Sequence, residues 1–172
     1  MSATGRTHLR TLFCENLRRV VEEMDLNYKD VNERTGIYVD HISSILRGIS
    51  SPSIPDLYGL CAGLEHTPEY LLDFEGFNRP NLFNDQLPGL TKREFGDRLL
   101  KAVEAHDKSR AEICSEAGIT PSQISQYITG FCYPRLDRFV RLCKALRVTP
   151  SYLLGFTEHM SLVGVDGRGQ EQ

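Results

Sequence analysis

The stretch GITPSQISQYITG, Gly118 to Gly130, places polar side chains at helical spacing. Ser122, Gln126 and Thr129 stand at i, i+4 and i+7, with Ile124 and Ile128 pointing the other way. Hydroxyls and a carboxamide are hydrogen-bond donors and acceptors, and a hydroxyl becomes a nucleophile only beside a base. No base is spaced to serve: His8, His41, His66, His106 and His159 are dispersed, and no H-E-x-x-H, G-x-S-x-G or phosphate-binding loop occurs. The five cysteines form no C-x-x-C pair and show no ligand spacing with histidine. Buried structural thiols are expected, with no metal and no cofactor. The chemistry on offer is that of a binding surface, not of an enzyme.

The elements that position this face occur twice. An earlier stretch, GIYVDHISSILRG from Gly36 to Gly48, has the same length and the same glycines, and lies 118 − 36 = 82 residues upstream. At that fixed offset Phe13 matches Phe95, Leu17 matches Leu99, Leu60-Cys61 matches Leu142-Cys143, and Thr67-Pro68 matches Thr149-Pro150. About 20 of roughly 63 aligned positions are identical without a gap, far beyond chance, so the chain is an internal duplication. The organisation expected is a first domain over 1–75, a linker over 76–93, a second domain over 94–157, and a flexible, Gly-rich tail over 158–172. Leu82 and Phe83 are candidate apolar anchors within the linker.

Within each copy the periodicity is helical. Phe95, Leu99, Ala102 and Val103 recur at i, i+4, i+7 and i+8 and give a first helix one apolar face. Ser109 with Glu112 forms a capping box for a second helix, and Gly118 ends it. Thr120-Pro121 restarts a third as N-cap and first helical residue, and Gly130 stops it. Leu136, Phe139, Leu142, Cys143 and Leu146 mark a fourth helix, and Thr149-Pro150 opens a short fifth. No segment alternates with period 2 for long enough to predict a strand. The expected fold is all-α, with two tandem five-helix domains.

Two short helices joined by a tight glycine turn inside a small helical domain make a helix-turn-helix. The second copy, from Phe95 to about Phe156, resembles the lambda-repressor/Cro (Xre) type of helix-turn-helix DNA-binding domain. The resemblance is carried by Arg98-Leu99, Glu112-Ile113-Cys114, Ala117-Gly118-Ile119, Ile124-Ser125, Gly130, Pro134, and Leu142-Cys143 with Leu146. The first copy, Phe13 to about Phe74, resembles the family more loosely. The resemblance implies that the third helix enters the major groove of double-stranded DNA. It makes Pro121, Ser122, Gln123 and Gln126 the candidate base-reading residues. Gln126 is the best of them, because its amide can donate and accept in the pattern that adenine N6 and N7 present. Arg110, Thr129 and Arg135 are the candidate phosphate contacts.

Charge separates the copies. Residues 91–157 hold 11 Lys/Arg and 7 Asp/Glu, a net of 11 − 7 = +4, whereas residues 12–75 hold 5 against 12, a net of 5 − 12 = −7. Phosphate binding needs cations, so the acidic copy is expected to have kept the scaffold and lost the DNA chemistry. Asp40 and Val39 also stand there in place of Ser122 and Pro121.

The leading expectation is a cytoplasmic, sequence-specific transcriptional regulator, a repressor of phage or mobile-element type acting as a homodimer. The alternative is a regulator that sequesters a protein partner through the acidic first domain, as an antiactivator or phage inhibitor does. The apolar ends Tyr70-Leu71-Leu72 and Tyr152-Leu153-Leu154 either supply a dimer face or close each domain's own core. No run of 18 apolar residues is present to span a bilayer, and the N-terminus has no secretory core, so no membrane association is expected.

Overall fold

A computed structural model describes residues 3–74 and 90–160, with side chains from residue 8 onward. The expected anchors Leu82 and Phe83 lie outside the described residues, as does the expected tail beyond residue 160; of its first residues, Glu158 pairs with Arg98.

The first copy is built from α1 (Ala3–Glu23), α2 (Tyr28–Thr35), α3 (Val39–Leu46), α4 (Ile54–Leu64) and α5 (Pro68–Leu71). The second repeats this order as α6 (Lys92–Ala105), α7 (Arg110–Ala117), α8 (Pro121–Ile128), α9 (Leu136–Leu146) and α10 (Pro150–Leu154). No β-strand occurs among the described residues, so the all-α expectation holds. The first helix of the second copy starts earlier than 94: Thr91 caps it in a box with Glu94, and its first turn begins at Lys92.

Local chemistry sets most of the boundaries. Asn27 with Asp30 and Ser109 with Glu112 form the same capping box at equivalent positions. Gly36 at φ 73° and Gly118 at φ 63° end the helices that follow, in the left-handed region that glycine enters cheaply. Thr67 and Thr149 cap the two short terminal helices, each ahead of a proline at the first helical position. Each copy then closes around one large aromatic cluster or side chain: Phe13 with Leu17, Ile42 and Leu60 in the first, Phe95 with Phe139, Leu99 and Ile124 in the second, all fully buried. Cys61 and Cys143 are buried at equivalent places on α4 and α9. Burial pushes both thiols well above their ordinary range, which keeps them protonated and inert, as expected of packing residues.

The two copies also pack on each other. α5 contacts α10, and Glu69 of the first copy is buried there, 4% exposed. Its carboxylate accepts hydrogen bonds from the Ser151 backbone N–H and from Ser151 Oγ, each at 2.6 Å. Since 151 − 69 = 82, the two residues occupy the same position of the repeat. A contact between equivalent positions marks an approximate two-fold axis. The flanking contacts agree: Phe156 stacks on Tyr58 of α4 at 4.9 Å, and Phe74, its equivalent, lies under the Lys144 ammonium of α9 at 5.9 Å. Each copy thus sends its terminal phenylalanine to the fourth helix of the other.

The terminal Tyr-Leu-Leu runs are accounted for by this arrangement. Leu71, Leu72, Tyr152, Leu153 and Leu154 are all buried within the chain, and Tyr70 is half-buried against the core.

Replacing Glu69 with Ala removes the acceptor from two half-buried donors on Ser151 and is expected to lower stability by about 1–3 kcal/mol. Urea denaturation of the full chain measures it. A loss indistinguishable from that of an exposed Glu→Ala control would remove the contact from any structural role.

Candidate nucleic-acid interface

α7 and α8 form the second copy's helix-turn-helix, and α6 holds the pair in place through Gly96. A Cβ at Gly96 would collide with the Ile128 carbonyl oxygen and lie 2.9 Å from that of Tyr127. Only a residue without a side chain lets α6 cross the end of α8 this closely. In the first copy the equivalent residue is Cys14, whose thiol donates to the Ile45 carbonyl at 3.0 Å.

On α8 the inward residues are Ile124, fully buried, and Tyr127, 2% exposed, with Ile128 partly buried beside them. Tyr127 carries much of the packing that the pattern assigned to Ile128, because α8 ends at Ile128 and its last residue sits at the edge of the core. The opposite face presents Pro121, Ser122, Gln126 and Thr129, all exposed. Gln126 and Ser122 make no side-chain hydrogen bond among the described residues, which leaves the Gln126 amide with its donors and acceptor free.

Two of the expected contact residues are partly committed to the helix itself. Gln123 closes the capping box: its Oε1 accepts from the Thr120 N–H at 3.0 Å, and its own N–H donates to Thr120 Oγ1 at 3.2 Å. Only its amide N–H groups remain for an outside partner. The Thr129 hydroxyl donates to the Ser125 carbonyl at 3.0 Å, so a bond from it to a phosphate requires the hydroxyl to rotate away from the helix.

The cations sort in a similar way. Arg93 pairs with Asp97, Arg98 with Glu158, Lys108 with Glu116, and Arg141 with Asp137. Arg110, the first residue of α7, and Arg135, the N-cap of α9, are exposed and make no ion pair among the described residues. Arg135 is also a poor cap. It makes no side-chain cap bond, whereas Ser53 at the equivalent place in the first copy forms a full box with Asp56. A cation at a helix N-terminus in place of a serine forgoes about 1 kcal/mol of local stability. The third helices differ in the opposite sense: Thr120 caps α8, while Tyr38 opens α3 with no cap bond.

One surface residue escaped the sequence reading. Phe131, just after Gly130, is 72% exposed, and Ile49 at the equivalent position is 62% exposed. The repeat carried the signal, a large apolar residue following the helix-stopping glycine in both copies.

Among the described residues no group of three or more His, Cys, Asp or Glu side chains is placed to hold a metal ion, and no helix is long and apolar enough to cross a membrane.

Changing Gly96 to Ala is expected to push α6 off α8, lowering stability by about 1–3 kcal/mol and weakening DNA binding by displacing the reading helix. Thermal melting and a gel shift on the same preparation test both effects, and wild-type values in both would show that the crossing tolerates a methyl group.

Two family models match the chain, one at each copy. The Cro/C1-type helix-turn-helix DNA-binding domain matches residues 16–76, and the helix-turn-helix family matches residues 99–153. No curated protein and no solved structure matches the chain. With the duplication, the ten helices and both matches in hand, the chain is a DNA-binding regulator made of two tandem helix-turn-helix domains of the lambda-repressor/Cro type.

Proposed function

We propose that the chain is a sequence-specific transcriptional repressor that reads DNA mainly with its second domain and acts by occupying promoter DNA. The observation that carries this reading is the set of side chains left without protein partners on one surface: Gln126 and Ser122 on α8, flanked by Arg110 and Arg135. The amide of Gln126 would read an adenine edge, and the two guanidinium groups would hold phosphates on either side of the groove. Pro121 brings the first turn of α8 close to the bases, Gln123 contributes its amide N–H, and Thr129 closes the far end. Arg135 supports the reading further, because a residue that weakens its own helix cap is explained by a task outside the domain.

The first domain offers no comparable surface. Tyr28 stands in place of Arg110, Ser53 in place of Arg135 and Ser44 in place of Gln126, and the net charge of 5 − 12 = −7 over residues 12–75 opposes an approach to phosphates. One chain therefore brings a single reading helix to DNA. A homodimer supplies the second, so that two half-sites about 34 Å apart are read together.

The test is a gel shift with the DNA upstream of the protein's own gene. Gln126→Ala is expected to lower affinity for the cognate site by about 1–3 kcal/mol and to leave binding to random DNA nearly intact. Ser44→Ala, the same position in the first domain, should change neither. Equal losses on cognate and random DNA would remove Gln126 from base reading.

Arg110→Ala or Arg135→Ala should instead weaken binding to every sequence and reduce the salt slope by about one unit. An unaltered slope takes that residue off the list of phosphate contacts.

A further inference from the structure

Of the five large apolar side chains exposed among the described residues, four belong to the first domain: Tyr28 at 42%, Tyr38 at 82%, Val39 at 39% and Ile49 at 62%. They stand at the start of α2, at the start of α3 and in the turn that follows α3. In the second domain the same positions are Arg110, Thr120, Pro121 and Phe131. Positions that carry a cation and a threonine cap in the second domain, Arg110 and Thr120, thus carry exposed tyrosines in the first, beside the exposed Val39 and Ile49. The third helix of the first domain opens there with no cap bond. Large apolar side chains exposed together on one domain mark an interaction site more often than isolated ones do.

We propose that this face joins two copies of the chain in a two-fold contact. Three observations choose a second copy as the occupant. The terminal helices α5 and α10, which pair the two repeats, are consumed inside the chain through Glu69 and Ser151 and are not free to pair chains. The apolar face also carries exposed charges of both signs, Asp40 in the first turn of α3 and Arg47 at its C-cap. Two copies related by a two-fold axis with their α3 helices antiparallel set Asp40 of one against Arg47 of the other, twice. Such exposed pairs fix the register, while the tyrosines, Val39 and Ile49 supply the affinity. Finally, a two-fold contact closes on itself, giving a dimer with the acidic domains inside and the basic domains outside. This deepens the homodimer of the proposed function by naming its surface, and it leaves two reading helices free for DNA.

The contact has a salt signature opposite to that of DNA binding. The paired domains are each strongly acidic, so screening relieves their repulsion and leaves the apolar contact intact. Sedimentation velocity of the full chain without DNA, over a concentration series at about 50 mM and about 500 mM salt, reads it directly. A reversible monomer–dimer equilibrium is expected, as tight or tighter at high salt. The double variant Tyr38→Ser/Ile49→Ser, which alters only exposed side chains, should raise the dissociation constant at least about tenfold with an unchanged circular dichroism spectrum.

A chain that stays monomeric at all concentrations overturns the proposal and turns attention to a foreign protein on this face. So does a dimer that persists in the double variant. A dimer that loosens with salt and is lost in Phe131→Ser also overturns it, because the basic face of one copy would then be docking on the acidic domain of another. Whether Gln126 reads bases is decided independently by the gel shift, so failure of the dimer and failure of the DNA reading are distinguishable.

Discussion

A carboxylate withdrawn from water must find donors, and Glu69 finds them on Ser151 of the other domain. That requirement is met at the junction of the two domains. Around it α5 meets α10, Tyr58 meets Phe156 and Phe74 meets Lys144, and the two buried thiols Cys61 and Cys143 feel the same carboxylate, which raises both of them further. The carboxylate also sits at the first turn of α10, where the backbone N–H groups of a helix start are otherwise unpaired and a negative charge is favourable. Packing, capping and electrostatics therefore meet at one residue pair.

Around that shared frame the core is the better preserved part of the two domains, although it too has changed, with Cys14 against Gly96, Ile45 against Tyr127 and Leu57 against Phe139. Ile42 and Ile124, Leu60 and Leu142, and Cys61 and Cys143 hold equivalent buried places unchanged. Arg110 against Tyr28, Gln126 against Ser44 and Arg135 against Ser53 differ wherever the side chain meets solvent. Core positions are constrained by volume and close packing, so they preserve the record of the duplication. Exposed positions carry no such constraint and record what each surface touches.

The sequence was informative where the physics is local. Capping boxes, left-handed glycines and prolines at first helical positions each act within four residues, so the ends of α7, α8 and α10 were readable at Ser109, Gly118, Thr120 and Thr149. The duplication itself was readable because identity accumulates over many positions. The Glu69–Ser151 contact was not. A glutamate and a serine 82 residues apart have nothing local to link them, and burial of a carboxylate is among the least expected placements. The role of Gln123 was only half visible, since a glutamine three residues after a threonine cap serves equally as a box partner or as a base reader. Tyr127 was missed for a different reason: α8 is so short that a residue at its end can be buried by the neighbouring α6 whatever its place in the pattern.

The pairing of unlike residues at the two-fold axis has a genetic consequence. In a dimer of identical chains the residue on the axis must face its own copy, so a glutamate there would meet a glutamate and a serine would meet a serine. Joining both domains in one reading frame lifts that restriction. Every substitution falls on one half alone, unlike partners are produced at a fixed one-to-one ratio, and no like-with-like by-products compete with them. Selection can then retune one half without revisiting the other.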